Sequence, residues 1–210
     1  MRYVALGDSY TIGTSVAADR RWPAQLVAAL GREAPAPGAE ASTLSLVANL
    51  GVDGYTSADL IRAELPALPA LVPDFVTVLI GVNDVVRGVP VMTYEANIAR
   101  ILDALLARLP ADRIVAVSIP DYTVTPAGAD FGDPRRNHAG IVANNAAMER
   151  LAGAHGIAFV DIVDISLEAA ADRSLVADDG LHPSGTQYAR WVERILPVVA
   201  GLLAPRGRSV

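Results

Sequence analysis

The sequence predicts an α/β protein, a three-layer α/β/α sandwich around a parallel sheet of about five strands. Three observations carry that expectation. Short runs rich in Val and Ile, apolar on both faces, recur along the chain, as strands of a parallel sheet covered on both sides require. Between them lie longer stretches whose apolar residues return at helical spacing. Strand and helix alternate throughout, which favours right-handed crossovers within one sheet.

The first strand is expected at 2–6, where Arg2-Tyr3-Val4-Ala5-Leu6 runs straight into Gly7-Asp8-Ser9. A helix follows at 22–30, and residues 31–42, rich in Pro, Gly and Ala, read as a surface loop. The second strand falls at 46–50, a helix at 57–65, the third strand at 75–80, a helix at 93–108 and the fourth strand at 113–119. Residues 120–136 form the longest polar irregular stretch, containing Asp121, Tyr122, Thr123, Pro126, Asp130, Asp133 and Pro134. In open α/β sheets ligands bind beyond the carboxyl ends of the strands, so this loop is a candidate wall of a site; a solvated connection is the plainer alternative. A helix at 137–154, a strand at 157–162 and a helix at 185–203 complete the pattern. Neither an internal repeat nor a composition shift divides the chain, and 210 residues suit one domain over 1–210 against a prior of about 150 per domain.

Composition removes several function classes. With 52% hydrophobic and 19% charged residues the chain can bury a substantial core, which excludes an intrinsically disordered segment. A net charge of -6, with basic residues that are all arginine and scattered, argues against nucleic acid or an anionic membrane as partner. The absence of cysteine excludes disulfides, thiolate metal sites, iron–sulfur clusters and cysteine nucleophiles. The start of the chain lacks the basic, apolar and small-residue order of an export signal. The apolar stretch 195–204 is too short to span a bilayer and is interrupted by Pro197. A cytoplasmic location without stable membrane insertion is therefore expected.

Four glycine-containing islands hold groups able to perform acyl transfer: Gly7-Asp8-Ser9, Asn49-Leu50-Gly51-Val52-Asp53-Gly54, Gly81-Val82-Asn83-Asp84 and Asp179-Gly180-Leu181-His182-Pro183. Three of them follow predicted strands. Asp179 and His182 are three apart in a tight loop, so the carboxylate can reach the imidazole Nδ1 and leave Nε2 free as a base. Ser184 and Gln187 fit a capping box that would fix where the last helix begins. His138 and His155 have no comparable acidic neighbour in sequence and read as exposed helix residues. Ser9, at a strand-to-helix turn, is the candidate nucleophile, or else simply a helix N-cap. An oxyanion needs preorganised donors, which the Ser9 N–H, the Gly51 N–H and the Asn83 side-chain amide could supply; taken singly, Gly51 and Asn83 are also ordinary turn residues.

In this order and spacing the islands resemble the SGNH hydrolase superfamily, the GDSL-type esterases and lipases. Gly7-Asp8-Ser9 matches its first block, Gly51 within Asn-x-Gly-x-x-Gly its second, Gly81-x-Asn83-Asp84 its third and Asp179-x-x-His182 its fifth. The first block reads Gly-Asp-Ser-Tyr in place of Gly-Asp-Ser-Leu. The resemblance implies a flavodoxin-like sandwich with Ser9 as nucleophile, His182 as general base and acid, Asp179 as its orienting partner and Ser9, Gly51 and Asn83 as the oxyanion hole. No Gly-x-Ser-x-Gly elbow, Walker loop or His-Glu-x-x-His motif is present, and no metal or organic cofactor is expected.

The expected partner is a small-molecule ester of short or medium acyl chain. Walls are expected from 85–92 and 120–136, with Asp8, Val85 and Tyr122 against the substrate. Acyl transfer to another acceptor, or thioesterase or lysophospholipase activity, would use the same residues. A flavodoxin-like nucleotide-binding module is the competing class, since Ser9-Tyr10-Thr11-Ile12-Gly13-Thr14 is a hydroxyl-rich loop after a first strand; it leaves Asn83 and the Asp179-x-x-His182 pair without a role.

Overall fold

A computed structural model describes residues 1–32 and 43–204. Its strands are β1 (Arg2–Gly7), β2 (Ser45–Asn49), β3 (Phe75–Leu79), β4 (Ile114–Val117) and β5 (Ala158–Val160). All pair in parallel, in the order β2-β1-β3-β4-β5, which is the flavodoxin-like order. The helices, in chain order, are α1 (Ser9–Ile12), α2 (Trp22–Leu30), α3 (Ser57–Asp59), α4 (Leu68–Leu71), α5 (Val82–Val86), α6 (Val91–Leu106), α7 (Pro134–Ala154), α8 (Val163–Leu167) and α9 (Gly185–Leu203). Helices α2 and α9 pack together on one face of the sheet and α6 and α7 on the other, as right-handed crossovers in this strand order demand.

Apart from exposed Arg2 and buried Thr77, the residues of the three central strands are apolar or glycine and buried on both faces, whereas β2 and β5 are only half-buried. The expectation of strands covered on both sides fails for these two because they close the ends of the sheet. The large rings Trp22, Trp191, Tyr188 and Tyr94 fill the space between sheet and helices. Tyr3 in β1 stacks edge-on against Phe75 at 5.8 Å, and its hydroxyl is satisfied by Thr77 Oγ1 at 2.7 Å.

The helix expected at 57–65 is not regular. Pro66 and Pro69 cannot donate, and the stretch is an α-helical turn, a π turn over Leu60–Glu64 and a 3-10 turn over Leu65–Ala67. The π turn delivers the Glu64 carboxylate to the Gly7 N–H at 2.9 Å. The short helices α1, α5 and α8 are each five residues or fewer, too short for a helical period to stand out in sequence. The surface loop expected at 31–42 lies, from Glu33 onward, outside the described residues. Among the described residues no helix is long and apolar enough to cross a membrane.

Candidate active site

The strand order reverses between β1 and β3, and in open α/β sheets the binding crevice opens beyond the carboxyl ends of the strands at that point. Ser9 follows β1 and Asn83 follows β3, so the sheet itself brings these two islands side by side. The turn after β1 is made possible by Gly7. Its φ is 153°, and a Cβ there would lie 2.2 Å from the Leu79 carbonyl oxygen. Asp8 caps α1, its side chain accepting from the Tyr10 N–H at 3.0 Å. With the cap supplied by Asp8, the Ser9 hydroxyl has no hydrogen-bond partner among the described residues and faces a pocket.

Asp8 itself does not meet that pocket. It is fully buried beneath the turn, so the expected substrate contact is not there. Burial pushes its carboxyl up to about 8; the Tyr10 N–H pulls the other way and the nearby Asp84 adds to the rise.

The fourth island behaves as a local unit. Asp179 Oδ1 accepts from the backbone N–H groups of Leu181 at 2.8 Å and His182 at 2.9 Å, and Oδ2 lies 2.6 Å from His182 Nδ1. Burial alone would raise the Asp179 pKa, but the hydrogen bonds from Ser15, Leu181 and His182 outweigh it and hold the carboxyl at about 2. The His182 ring rests edge-on against Tyr10 at 5.7 Å, and Tyr10 in turn against Trp191 at 6.4 Å. An aromatic stack from α9 through α1 thus seats the imidazole. The expected capping box forms only by half. Ser184 Oγ accepts from the Thr186 and Gln187 N–H groups, but the Ser184 N–H and the Gln187 side chain both turn to the Leu175 carbonyl.

Asn83 donates one amide hydrogen to the Tyr55 carbonyl at 3.0 Å, leaving a second for the pocket. The loop carrying Tyr55 is pinned from below: buried Asp84 accepts from the Ser57 N–H at 2.8 Å and its hydroxyl at 2.6 Å. The glycine in the pocket is Gly54, and Gly51 is elsewhere. The Gly51 N–H donates to Asn49 Oδ1 at 3.2 Å, and its Cα packs so closely on α1 that a Cβ would be 2.6 Å from Ile12 N. Gly54 has a φ of 78°, lines the pocket and has its carbonyl held by Arg87 at 2.7 Å. Its N–H has no acceptor among the described residues. The signal that could have found it is the second glycine of Asn-x-Gly-x-x-Gly.

Ser9, Asn83, Gly54 and His182 therefore share one cavity of about 200 Å³. Its remaining walls are mostly apolar: Val82, Val86, Tyr122, Phe131 and Leu181. Tyr122 stands where expected, but Val85 does not. It lines a separate cleft against α7, beside Gly140, and not the pocket that Val82 and Val86 line. Asn137 donates to both the Tyr122 hydroxyl at 2.9 Å and the Phe131 carbonyl at 3.0 Å, tying the two aromatic walls to α7. The Ala127 N–H donates to the Gly180 carbonyl at 2.9 Å, so the wall loop is joined to the loop of His182. His138 is an exposed residue of α7, as expected, but it has an acidic partner that its sequence neighbours do not show. Its Nδ1 lies 2.5 Å from Asp121 Oδ2, a partner contributed by the wall loop.

Residues 5–190 match the model of the GDSL-like lipase/acylhydrolase family. No curated protein matches the chain in sequence. Among solved structures, the lipase/acylhydrolase from Enterococcus faecalis is similar at 20% identity and a TM-score of 0.73, covering 98% of each chain. A variant of Axe2, an acetyl xylan esterase from Geobacillus stearothermophilus, is similar at 21% identity and a TM-score of 0.70, covering 99% of this chain and 97% of that one. The psychrotrophic esterase EstA from Pseudoalteromonas sp., in a form inhibited by monoethylphosphonate, is similar at 17% identity and a TM-score of 0.69, covering 97% and 99%.

Proposed function

The chain belongs to the GDSL-like lipase/acylhydrolase family, and from that premise we propose that it cleaves esters of short or medium acyl chains through an acyl-enzyme on Ser9. The observation that carries this reading is the shared cavity: a hydroxyl free of structural duty, an imidazole oriented through Nδ1 and an open amide donor face the same small space.

His182 Nε2 takes the Ser9 proton as Oγ attacks the ester carbonyl, and Asp179 holds the imidazole in the tautomer that makes this possible. The carbonyl oxygen, now an anion, receives hydrogen bonds from the Ser9 N–H and the second Asn83 amide hydrogen. The third donor is the Gly54 N–H, taking the place first assigned to Gly51. His182 returns the proton to the departing alcohol, and a water deprotonated by His182 then releases the acyl group from Ser9. The acyl chain lies against Val82, Val86, Phe131 and Leu181. A space of about 200 Å³ is smaller than the several hundred Å³ of pockets that hold drug-sized ligands, which favours short acyl groups. The likeness to an acetyl xylan esterase points the same way.

The test is hydrolysis of p-nitrophenyl esters from acetate to palmitate by wild type and Ser9→Ala. Ser9-dependent release with an optimum at short or medium chains is expected, with the variant folded and inert. Equal rates from both proteins would overturn the proposal, and product formed only with an added alcohol or sugar acceptor would convert it to acyl transfer.

A further inference from the structure

We propose that Ser15 is a positioning residue for this reaction, aligning the Asp179 carboxylate, and through it the His182 ring, by a hydrogen bond from its hydroxyl. The inference rests on the roles given above to Ser9, Asp179 and His182. Ser15 lies in the turn after α1, 164 positions from Asp179, yet its Oγ donates to Asp179 Oδ2 at 2.6 Å. That is the oxygen that also meets His182 Nδ1 at 2.6 Å. Every other hydrogen bond to this carboxylate comes from the 181–182 segment of its own loop. Ser15 is the one that ties it to the element carrying the nucleophile.

The backbone supplies an independent observation. Ser15 has a φ of 63°, and only Val72 shares a positive φ among the described residues other than glycine. Glycine occupies the left-handed region freely, while a Cβ makes it unfavourable. A side chain is therefore kept where the backbone alone favours none, and this one spends its polar atom on the partner of the base. The preceding residue extends the clamp, since Thr14 Oγ1 donates to Asp53 Oδ1. One turn thus reaches the loop of Gly54 and the loop of His182 together.

A hydroxyl on Oδ2 fixes the plane of the carboxylate and takes up part of the negative charge that His182 would otherwise face alone. Its loss leaves the imidazolium better stabilised and the ring less well aimed. The Tyr10 phenol on α1, whose ring meets His182, and the Tyr188 phenol on α9, which feels the Asp179 charge, are both held neutral by burial, and Asp8, Arg21 and Asp53 act on Tyr188 in turn. None of them donates to Asp179 in place of Ser15 among the described residues.

The test compares wild type with Ser15→Gly, Ser15→Thr and Ser9→Ala, reading melting temperature, kcat, KM and the pH profile of kcat/KM on a short-chain p-nitrophenyl ester. Ser15→Gly relieves the backbone and should melt no lower than wild type. Its kcat should fall about tenfold with KM little changed, and the acid limb should move up by about half a pH unit. Ser15→Thr keeps the hydroxyl, so its acid limb should stay in place even if its branched Cβ lowers the melting temperature. A Ser15→Gly enzyme with wild-type kcat and an unmoved limb overturns the inference. So does a loss of kcat without movement of the limb, which a loosened turn would produce. If Ser9→Ala still hydrolyses, the underlying catalytic reading falls and this inference with it. An inert Ser9→Ala beside a wild-type Ser15→Gly sinks the Ser15 role alone.

Discussion

Two Asp–His pairs stand among the described residues, and they are built in opposite senses. In Asp179–His182 the imidazole is the more buried partner, its side chain 14% exposed against 29% for the carboxylate. In Asp121–His138 the carboxylate is fully buried and the ring is 50% exposed. Both make a short contact through Nδ1, at 2.6 Å and 2.5 Å. Only the first directs its ring into the cavity of Ser9. The second serves as a strut: Asp121 Oδ1 takes the Thr123 N–H and hydroxyl, and its own N–H reaches Ser166, anchoring the start of the loop that carries Tyr122 and Phe131. The contact between Asp and His orients a ring; it becomes a base only where the second nitrogen faces a nucleophile.

The comparison breaks most visibly at the two imidazoles. His182→Ala should lower kcat by about 10⁴-fold or more, while His138→Ala should leave kcat within about threefold and cost about 1 kcal/mol of stability. Comparable kinetic losses from both, measured on the same ester, would erase the distinction. Asp179→Asn should lose roughly 10³- to 10⁴-fold in kcat, because no carbonyl engages the His182 ring among the described residues. Asn83→Ala should lose about 10²- to 10³-fold in kcat with little change in KM; a rise in KM alone would remove it from the oxyanion hole.

A third carboxyl sharpens the contrast with a smaller effect. Burial pushes Glu64 up to about 9, opposed by the Gly7 N–H and reinforced by Asp8. Asp179, richly supplied with donors, is held instead at about 2. Since the folded state prefers protonated Glu64, its contribution to stability is fully present below the unfolded carboxyl pKa of about 4.3 and is lost as pH rises toward about 9. The melting temperature of the wild type should therefore decline between those limits, and Glu64→Gln should flatten the decline. Parallel curves for the two proteins would show that the carboxyl is not the source.

Much of this was legible before any coordinates. Four of the five long amphipathic stretches are helices close to where their periodicity put them, and the strands fall within a few residues of the apolar runs. The fifth stretch, 57–65, departs because prolines just beyond it break the helical pattern. At the site, Asp179 and His182 were readable because three residues of tight loop leave the side chains few ways to miss each other. Gly51 was misplaced because two glycines three apart look alike in sequence; what separates them is that Gly51 N–H is spent on Asn49 and Gly54 N–H is not. Val85 and Val86 are likewise adjacent on one helix and line different cavities.

The amino-acid sequence by itself determined the alternation of strand and helix, the residues gathered in the four islands and the local pairing of imidazole with carboxylate. Each is a property of a short stretch, set by side-chain periodicity or by the reach of neighbouring groups. Only the tertiary structure decided that Gly54 faces the cavity, how small that cavity is, that Asp121 reaches His138 across 17 positions and that Ser15 reaches Asp179 across 164. Those outcomes depend on strand order and on how whole elements pack, and no local pattern encodes which distant loops will meet.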